Sequence, residues 1–485
     1  MDTSFSRNLT MLTDFYEMTM ANGYFEEGMK DTVASFDVFF RNIPGGGGYA
    51  VMAGLSQAVE YIKELNFSDE DIEYFRSFNI FSEQFLQYLK DFKFACDVYA
   101  IPEGTPIFPG EPVLTVKGPV IQAQFVETML LICINHQSLI ATKANRIYHA
   151  ADGRPVMEFG ARRAQGFDAS VYGARAAYIG GCASTSNVFA AKKFDIPASG
   201  TMAHSWVQMF DSEYDAFKAY AVNYPDACVL LIDTYNVLKS GLPNAIKVFD
   251  EVLAPMGKRP LGVRIDSGDI TYLSKKIRKI LDEAGYPDCK IVVSNSLDEY
   301  IIRDMIMQGA KVDSFGVGER QITSLSDPVF GGVYKLPAIW DKNGNEIPKI
   351  KISENVSKIT IPGYKQIWRL FDRETGKAIA DLITMFDEKI DDSAEYELFD
   401  PEHTWKRKTV SNFIARPLLK AVFIGGKYVG QNYSVSEIRK YCMDQVSLLW
   451  DEVRRFENPH GYYVDYSQKL WDIKHKLLNE HMFKS

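Results

Sequence analysis

Apolar and polar residues recur with two different periods along this chain, and the pattern changes twice. Up to about residue 140, helical and strand patterns mix. "SQAVEYIKELNF" and "SEQFLQYLKDF" repeat apolar residues at steps of three and four, which predicts two amphipathic helices. "CDVYAIPEGTPIFPGEPVLTVKGP" sets β-branched residues between Pro and Gly, which predicts short strands and turns. The longest apolar stretch, "TMLLICIN" at 128–135, reads as far too short to cross a bilayer.

From about residue 155 a second rhythm begins. The short apolar runs "PVMEFGARR", "DIPASGTMAH", "CVLLIDTYN", "LGVRIDSGD", "KIVVSNS" and "VDSFGVGER" end in polar or glycine residues. Helical patterns such as "ITYLSKKIRKILDEAG" and "LDEYIIRDMIMQGA" lie between them. The later runs recur at roughly thirty residues, the length of a β/α unit. Such units predict parallel strands covered by helices, as a barrel or a doubly wound sheet. A barrel fits better, because chemically useful residues gather at the strand ends. After about residue 335, "IPKIKISENVSKITIPGYKQIWRLFDRETGKAIADLIT" predicts hairpins turning at "NGN", "IPG" and "RETG". The last stretch reads as helix, opened by the capping box "SVSE". The expected architecture is therefore α/β, with an N-terminal α/β domain over 1–140, an irregular TIM-like barrel over 141–335 and a C-terminal β-rich then helical extension over 336–485.

Composition narrows the function. With 485 residues the chain can bury a large core without disulfide or metal staples. A formal charge of −9 argues against non-specific binding to nucleic acid or to an anionic membrane. The six cysteines form no C-x-x-C and no zinc-ligand spacing, so they read as small buried hydrophobes of a reducing compartment. The opening "MDTSFSRNLTMLTDFYEM" lacks a signal-peptide core. These features point to a soluble, cytoplasmic protein.

Candidate chemistry clusters at the ends of the apolar runs. In "GVRIDSGD", Arg264 and Asp266 are two apart and face one side of a strand. An aspartate there can accept from sugar hydroxyls or hold Mg²⁺ through water, while a helix cap plus one salt bridge is the plainer reading. Asp269 stands where an N-cap would. In "SFGVGERQITS", Gly316 and Gly318 allow backbone N–H groups close to a phosphate, and Ser294, Asn295 and Ser296 of "VVSNS" end a neighbouring run. The "GGGG" at 45–48 reads equally as a flexible turn. There is no P-loop, no G-x-G-x-x-G, no H-E-x-x-H and no G-x-S-x-G. His204, in "GTMAHSWV", is one of seven histidines, and imidazole can accept a phosphoryl group where an amide cannot.

Taken together these blocks resemble the nicotinate phosphoribosyltransferase family of type II phosphoribosyltransferases. The resemblance runs through "MLTDFYEMTMANGYF", "FDVFFRNIPGGGGYAVMAGL", "EFGARRAQGFDAS", "YIGGCASTSNVFAAK", "IPASGTMAHSWV", "LIDTYN", "VRIDSGD", "SNSLDE", "FGVGE" and "IPGYKQIWRLFD", in that order over nearly the whole chain. It implies the joining of nicotinate to 5-phosphoribosyl-1-pyrophosphate (PRPP), giving nicotinate mononucleotide and pyrophosphate, the first step of NAD salvage from nicotinic acid. ATP hydrolysis is coupled, Mg²⁺ serves the pyrophosphate, and members are homodimers with shared active sites.

By the same resemblance His204 is the histidine phosphorylated by ATP. Tyr16, donated by a partner subunit, and Phe159 sandwich the pyridine ring. Arg162, Arg163 and Thr201 serve the nicotinate side, with the arginines also near the PRPP phosphates. Arg264 and Asp266 handle ribose and pyrophosphate with Mg²⁺, and Ser294, Asn295, Ser296, Gly316 and Gly318 form the 5′-phosphate pocket. Two positions depart from the family pattern: Ala183 stands where an acid is common, and Glu319 where a small hydroxyl residue is usual. A carboxylate beside a phosphate loop is unfavourable unless Arg320 offsets it or Glu319 points away. Rival readings are the same fold acting on nicotinamide or quinolinate, a catalytically dead nucleotide-binding barrel, and a phosphosugar lyase. The lyase would want a Schiff-base lysine at a strand end, and none of the runs ends in lysine.

Overall fold

The computed structural model describes residues 8–482. The chain divides into two compact units. One holds the chain up to Leu139, then Val329–Tyr433 and the chain from Lys440 on; the other holds Ile140–Pro328 and Ser434–Arg439.

The first unit is organised by a seven-stranded sheet in the spatial order Glu346–Pro348, Val333–Trp340, Val33–Phe39, Leu114–Pro119, Asp97–Ala100, Lys420–Ile424 and Lys427–Tyr428. Neighbouring strands are antiparallel. The Pro- and Gly-punctuated segment supplies the strands Asp97–Ala100, Pro106–Ile107 and Leu114–Pro119, as its pattern predicts. The two amphipathic helices are Leu55–Glu64 and Glu83–Lys90, which bury Ala58, Tyr61 and Ile62, and Phe85, Leu86 and Leu89. Where the composition changes at 335, no new unit begins. Strand Val333–Trp340 crosses that point and pairs with Val33–Phe39, because composition reports local propensity and not a strand's distant partner.

The C-terminal hairpins form a four-stranded sheet of Phe413–Pro417, Lys365–Asp372, Ala378–Met385 and Val464–Tyr466. The "RETG" turn joins its two central strands, with Asp372 Oδ1 accepting from the Glu374 and Thr375 N–H groups. The "SVSE" box is present in both directions: Glu437 accepts from the Ser434 N–H (2.8 Å) and Ser434 Oγ from the Glu437 N–H (3.2 Å).

"TMLLICIN" corrects its own reading. It belongs to helix Glu127–Ala150, and with Val120–Phe125 the helical run reaches 31 residues. That is long and apolar enough to cross a membrane by length and composition, but 72% of its most apolar stretch is buried inside the protein. Flanking Ala, Thr, Gln and Asn residues extend the helix beyond the apolar core that the sequence displays. Met129, Leu130, Cys133 and Ile134 lie in the first unit's core. All six cysteines are buried, and none forms a disulfide among the described residues.

The second unit carries a six-stranded parallel sheet in the spatial order Ser184–Thr185, Val156–Glu158, Ser314–Val317, Lys290–Ser294, Gly262–Ile265 and Val229–Leu231. Every pairing is parallel. The last strand in sequence therefore lies beside the first. That cyclic order is the order of a barrel, whereas a doubly wound sheet reverses direction at a switch point. The ladder does not close, however. Among the described residues no strand pairing joins Ser184–Thr185 to Val229–Leu231. A single bridge, Thr185 to Ala198, continues one edge. Pro197 and Gly200 lie to either side of Ala198, and the chain then enters the five-residue helix His204–Gln208.

Candidate active site

Six parallel strands deliver their carboxyl ends to one edge of the second unit, and the polar residues of the apolar runs meet there. Arg264 lies opposite Leu231 on one neighbouring strand and Val292 on the other. Its guanidinium is half-buried and branches three ways. Nε donates to Ser294 Oγ (2.9 Å), and Nη1 donates to Thr201 Oγ1 (3.0 Å) and to the Met202 carbonyl (3.2 Å). Ser294 in turn donates to Asp266 Oδ1 (2.6 Å). One planar cation thus ties the "GTMAH" segment to two strand ends, a task suited to a fork of fixed donors.

His204 sits at the start of its short helix, with 39% of its side chain exposed. Nδ1 hydrogen-bonds Thr234 Oγ1 (3.1 Å). Nε2 faces Asp233 Oδ1 at 3.9 Å and Asp266 Oδ2 at 4.0 Å. With Nδ1 engaged, Nε2 is the nitrogen left for chemistry. Asp233 is buried. Its Oδ2 accepts from the Asp266 N–H and from Ser267 Oγ, both at 2.7 Å, while Oδ1 has no hydrogen-bond partner. A buried, unpaired carboxylate oxygen normally has a ligand, water or ion to serve. Asp233 and Asp266 together suit Mg²⁺ held through water and ligand phosphates. Among the described residues no group of three or more His, Cys, Asp or Glu forms a metal cage.

Phe159 begins the loop after Val156–Glu158, and its N–H donates to the Val317 carbonyl (2.8 Å). Its ring lies directly over Gly316. A Cβ on Gly316 would meet Phe159 Cδ2 and Cε2 at 2.5 and 2.6 Å. The glycine is there to seat the ring. The Arg264 guanidinium lies 5.9 Å from the ring centroid. Beneath it, buried Glu158 accepts from the Gly160 N–H and from Thr185 Oγ1, and burial pushes its pKa up.

The loops that follow Lys290–Ser294 and Ser314–Val317 share a carboxylate. Ser296 Oγ donates to Glu319 Oε1 (3.2 Å), and Arg163 Nε lies 3.7 Å from Glu319 Oε2. Arg320, the sequence neighbour expected to offset Glu319, pairs instead with Asp298. Asn295 holds φ at +132°, and its Oδ1 accepts from the Ser296 N–H (2.7 Å). Gly318 precedes the short helix Glu319–Ile322. Ala183 donates its N–H to the Val156 carbonyl (2.7 Å) and leads into the edge strand.

Of the residues named from sequence, Thr201, His204, Arg264, Asp266 and Ser294 thus share one network. Phe159 and Gly316 pack together, and Arg163 and Ser296 converge on Glu319. Arg162 is exposed on the turn Ala161–Arg163. Tyr16 belongs to the first unit, on helix Phe15–Glu26, with 44% of its surface exposed. Its hydroxyl bonds Glu127, and burial together with that carboxylate raises its pKa. Sequence reasoning missed Asp233, Thr234 and Glu158. The signal was present for Asp233, since "LIDT" closes its run with an acid just as "VRID" does.

Comparison with known proteins bears on the same chain. Three family models match it in succession: the N-terminal domain of nicotinate phosphoribosyltransferase over residues 11–135, the nicotinate phosphoribosyltransferase family over 155–391, and its C-terminal domain over 364–474. This chain belongs to the nicotinate phosphoribosyltransferase family. The nicotinate phosphoribosyltransferase of Bacillus subtilis is 43% identical over 475 residues, covering 98% of this chain and 96% of that one. The crystal structure of human nicotinic acid phosphoribosyltransferase superposes with a TM-score of 0.83 at 30% identity, over 96% of this chain and 100% of the human one. A nicotinate-nucleotide pyrophosphorylase from Pyrococcus furiosus superposes at 0.69 with 25% identity, over 92% and 98% of the two chains. The nicotinate phosphoribosyltransferase family thus extends over both units, and the Arg264–His204 network lies within the span of its central model.

Proposed function

We propose that this chain transfers the phosphoribosyl group of PRPP to nicotinate, giving nicotinate mononucleotide and pyrophosphate, and that ATP phosphorylates His204 to drive the reaction. The observation that carries the ATP-coupled reading is the histidine itself. Its Nε2 is accessible, while Nδ1 is held by Thr234 and two aspartates stand 3.9 and 4.0 Å from Nε2. Such a ring can take a phosphoryl group on Nε2, and a phosphorylated ring adds acceptors and negative charge next to Arg264.

The transfer itself is displacement at the anomeric carbon by the pyridine nitrogen, which already carries its lone pair and needs no general base. The protein's part is orientation and charge. Phe159 offers a flat face to the ring. Arg163 and Arg162 offer guanidinium forks to the carboxylate and phosphates. Arg264 and Asp266 hold the ribose side, Thr201 is fixed by Arg264, and Ser294, Asn295, Ser296, Gly316 and Gly318 receive the 5′-phosphate. Asp233 and Asp266 would hold Mg²⁺. When bound, that ion withdraws charge from the leaving pyrophosphate.

Several finer readings belong to the same proposal. The cyclic strand order and the Thr185–Ala198 bridge support an irregular barrel completed by the "GTMAH" segment. Exposed Leu12, Phe15 and Tyr16 lie on one short stretch, and this apolar stretch supports a homodimer in which Tyr16 reaches the partner's nicotinate. Scattered, buried cysteines that form no disulfide among the described residues support a cytoplasmic location.

The test is an incubation with nicotinate, PRPP and Mg²⁺, with and without ATP, for the wild type and His204→Ala. ATP should raise the rate or yield of mononucleotide, and the alanine variant should lose that gain while keeping ATP-independent turnover. An alanine variant that still responds to ATP refutes the phosphohistidine. Consumption of nicotinamide in place of nicotinate refutes the substrate.

A further inference from the structure

We infer that Glu319 is an internal stand-in for the PRPP phosphate, and that PRPP binds by displacing its carboxylate from Ser296 and Arg163, so that Glu319 sets PRPP affinity. The inference rests on the phosphate pocket proposed above. Its starting point is the Glu319 carboxylate itself. Oε1 accepts from the Ser296 hydroxyl (3.2 Å), and Oε2 lies 3.7 Å from Arg163 Nε. Those are the two kinds of donor, a hydroxyl and a guanidinium, that a phosphate entering these loops would take.

Two neighbouring donors are already committed elsewhere. Arg320, the adjacent cation, is committed to Asp298. Asp298 is itself fixed, since it caps helix Glu299–Met307 by accepting from the Tyr300 and Ile301 N–H groups. The Ser296 N–H is taken by Asn295 Oδ1. A phosphate and the Glu319 carboxylate therefore compete for Arg163 and for the Ser296 hydroxyl. The exchange is feasible because the pair is loose. Arg163 is 60% and Glu319 42% exposed, and ion pairs of that exposure are weak. Glu319 is the first residue of its helix, so its backbone stays put while the exposed side chain rotates away. The same carboxylate, once displaced, remains close to a phosphate and repels it.

Glu319→Gln separates this from a structural tether. The amide keeps an oxygen for Ser296 and loses the charge. The KM for PRPP should fall about 5- to 10-fold, the range of a modest coupling between two competing charges. The kcat should stay within twofold, and inorganic phosphate, used as a competitive probe, should inhibit at correspondingly lower concentration. The difference from wild type should shrink in high salt. Glu319→Thr should behave like the glutamine variant, and thermal unfolding of both checks that they fold. A PRPP KM that is unchanged or raised in both variants overturns the inference. Ser296→Ala tells that failure apart from failure of the pocket. Under the pocket reading it raises the PRPP KM. If Ser296→Ala has no effect, the pocket and the inference both fall, and if it acts while the Glu319 variants do not, only the inference falls.

Discussion

The contact between Gly316 and Phe159 makes the proposed nicotinate platform testable without touching the ring itself. In Gly316→Ala the new methyl would stand 2.5 and 2.6 Å from two ring carbons of Phe159 and 3.4 Å from Ser294 Cβ. Carbon atoms prefer separations of about 3.5–4.0 Å, so the ring has to move by roughly 1 Å. It cannot carry its backbone along. The Phe159 N–H is bonded to Val317, and the next residue, Gly160, is packed so tightly that a Cβ there would meet Ile322 at 2.6 Å. The ring must therefore turn or tilt out of its seat. Overpacking of this kind costs about 1–3 kcal/mol, and at about 2–4 °C per kcal/mol the melting temperature should fall by several degrees. Losing a well-placed aromatic face removes about 0.5–1.5 kcal/mol of ring contact plus some buried area. The KM for nicotinate should rise roughly 10- to 30-fold, by a larger factor than the KM for PRPP. Steady-state kinetics with each substrate varied reads both values. In a Phe159→Ala background the added methyl has room, so the second substitution should change neither stability nor nicotinate KM further, which a double-mutant cycle records directly. A Gly316→Ala enzyme whose nicotinate KM is unchanged while its PRPP KM rises would refute the assignment of Phe159 to the pyridine ring.

Two further perturbations test other parts of the molecule. Arg264→Lys keeps the charge but cannot bond Ser294, Thr201 and the Met202 carbonyl together. The kcat/KM for PRPP should fall about 100-fold, as expected when two or three charge-assisted bonds at about 1.5–3 kcal/mol each are reduced to one, and a loss under threefold would refute a positioning role. Burial pushes the Glu17 carboxyl up to about 7, against hydrogen bonds from Thr128 and Thr13 that lower it. The native protein then holds more protons than the unfolded chain from about pH 4.5 to 7, so stability declines as pH rises through that window, by at most about 3 kcal/mol from this group. Urea unfolding at pH 5 and pH 8 should show a smaller decline for Glu17→Gln. Part of the slope should persist, because burial and the charge of Asp400 also push Asp465 up to about 7. Equal declines in wild type and variant would refute it.

Much of the site was legible because a strand fixes direction. Arg264 and Asp266 are two apart, and both enter one network through Ser294. Asp269 caps the following helix by accepting from the Tyr272 N–H, as its position predicts. Spacing says which way a side chain points, and it does not say which strand lies alongside. Asp233 was therefore passed over although its run ends like that of Arg264, and its role follows from the pairing of Leu231 with Arg264. The partner of Glu319 was out of reach for the same reason. Adjacency in sequence offered Arg320 or a carboxylate that points away, while the fold brings Arg163 from the loop of another strand. The buried helix at 120–150 was underestimated because its ends are made of small and polar residues that the packing, not the pattern, makes helical.

The break in the parallel ladder bears directly on how the histidine is held. A strand's backbone is committed to its neighbours by ladder hydrogen bonds, and little can then be adjusted. The segment carrying His204 is tied differently. It starts at one sheet edge, where Ala198 bridges Thr185. It ends against the other, where His204 bonds Thr234 just beyond Val229–Leu231. Between these points it is gripped by Arg264, through the Thr201 hydroxyl and the Met202 carbonyl. The histidine of the proposed reaction is thus positioned by side chains that the same proposal assigns to the ligand site. Whatever draws Arg264 toward a phosphate or ribose also shifts its hold on Thr201 and Met202, and through them on His204. In the proposed reaction, occupancy of the PRPP site would then be coupled to the histidine through Thr201 and Met202, which Arg264 grips two residues before His204.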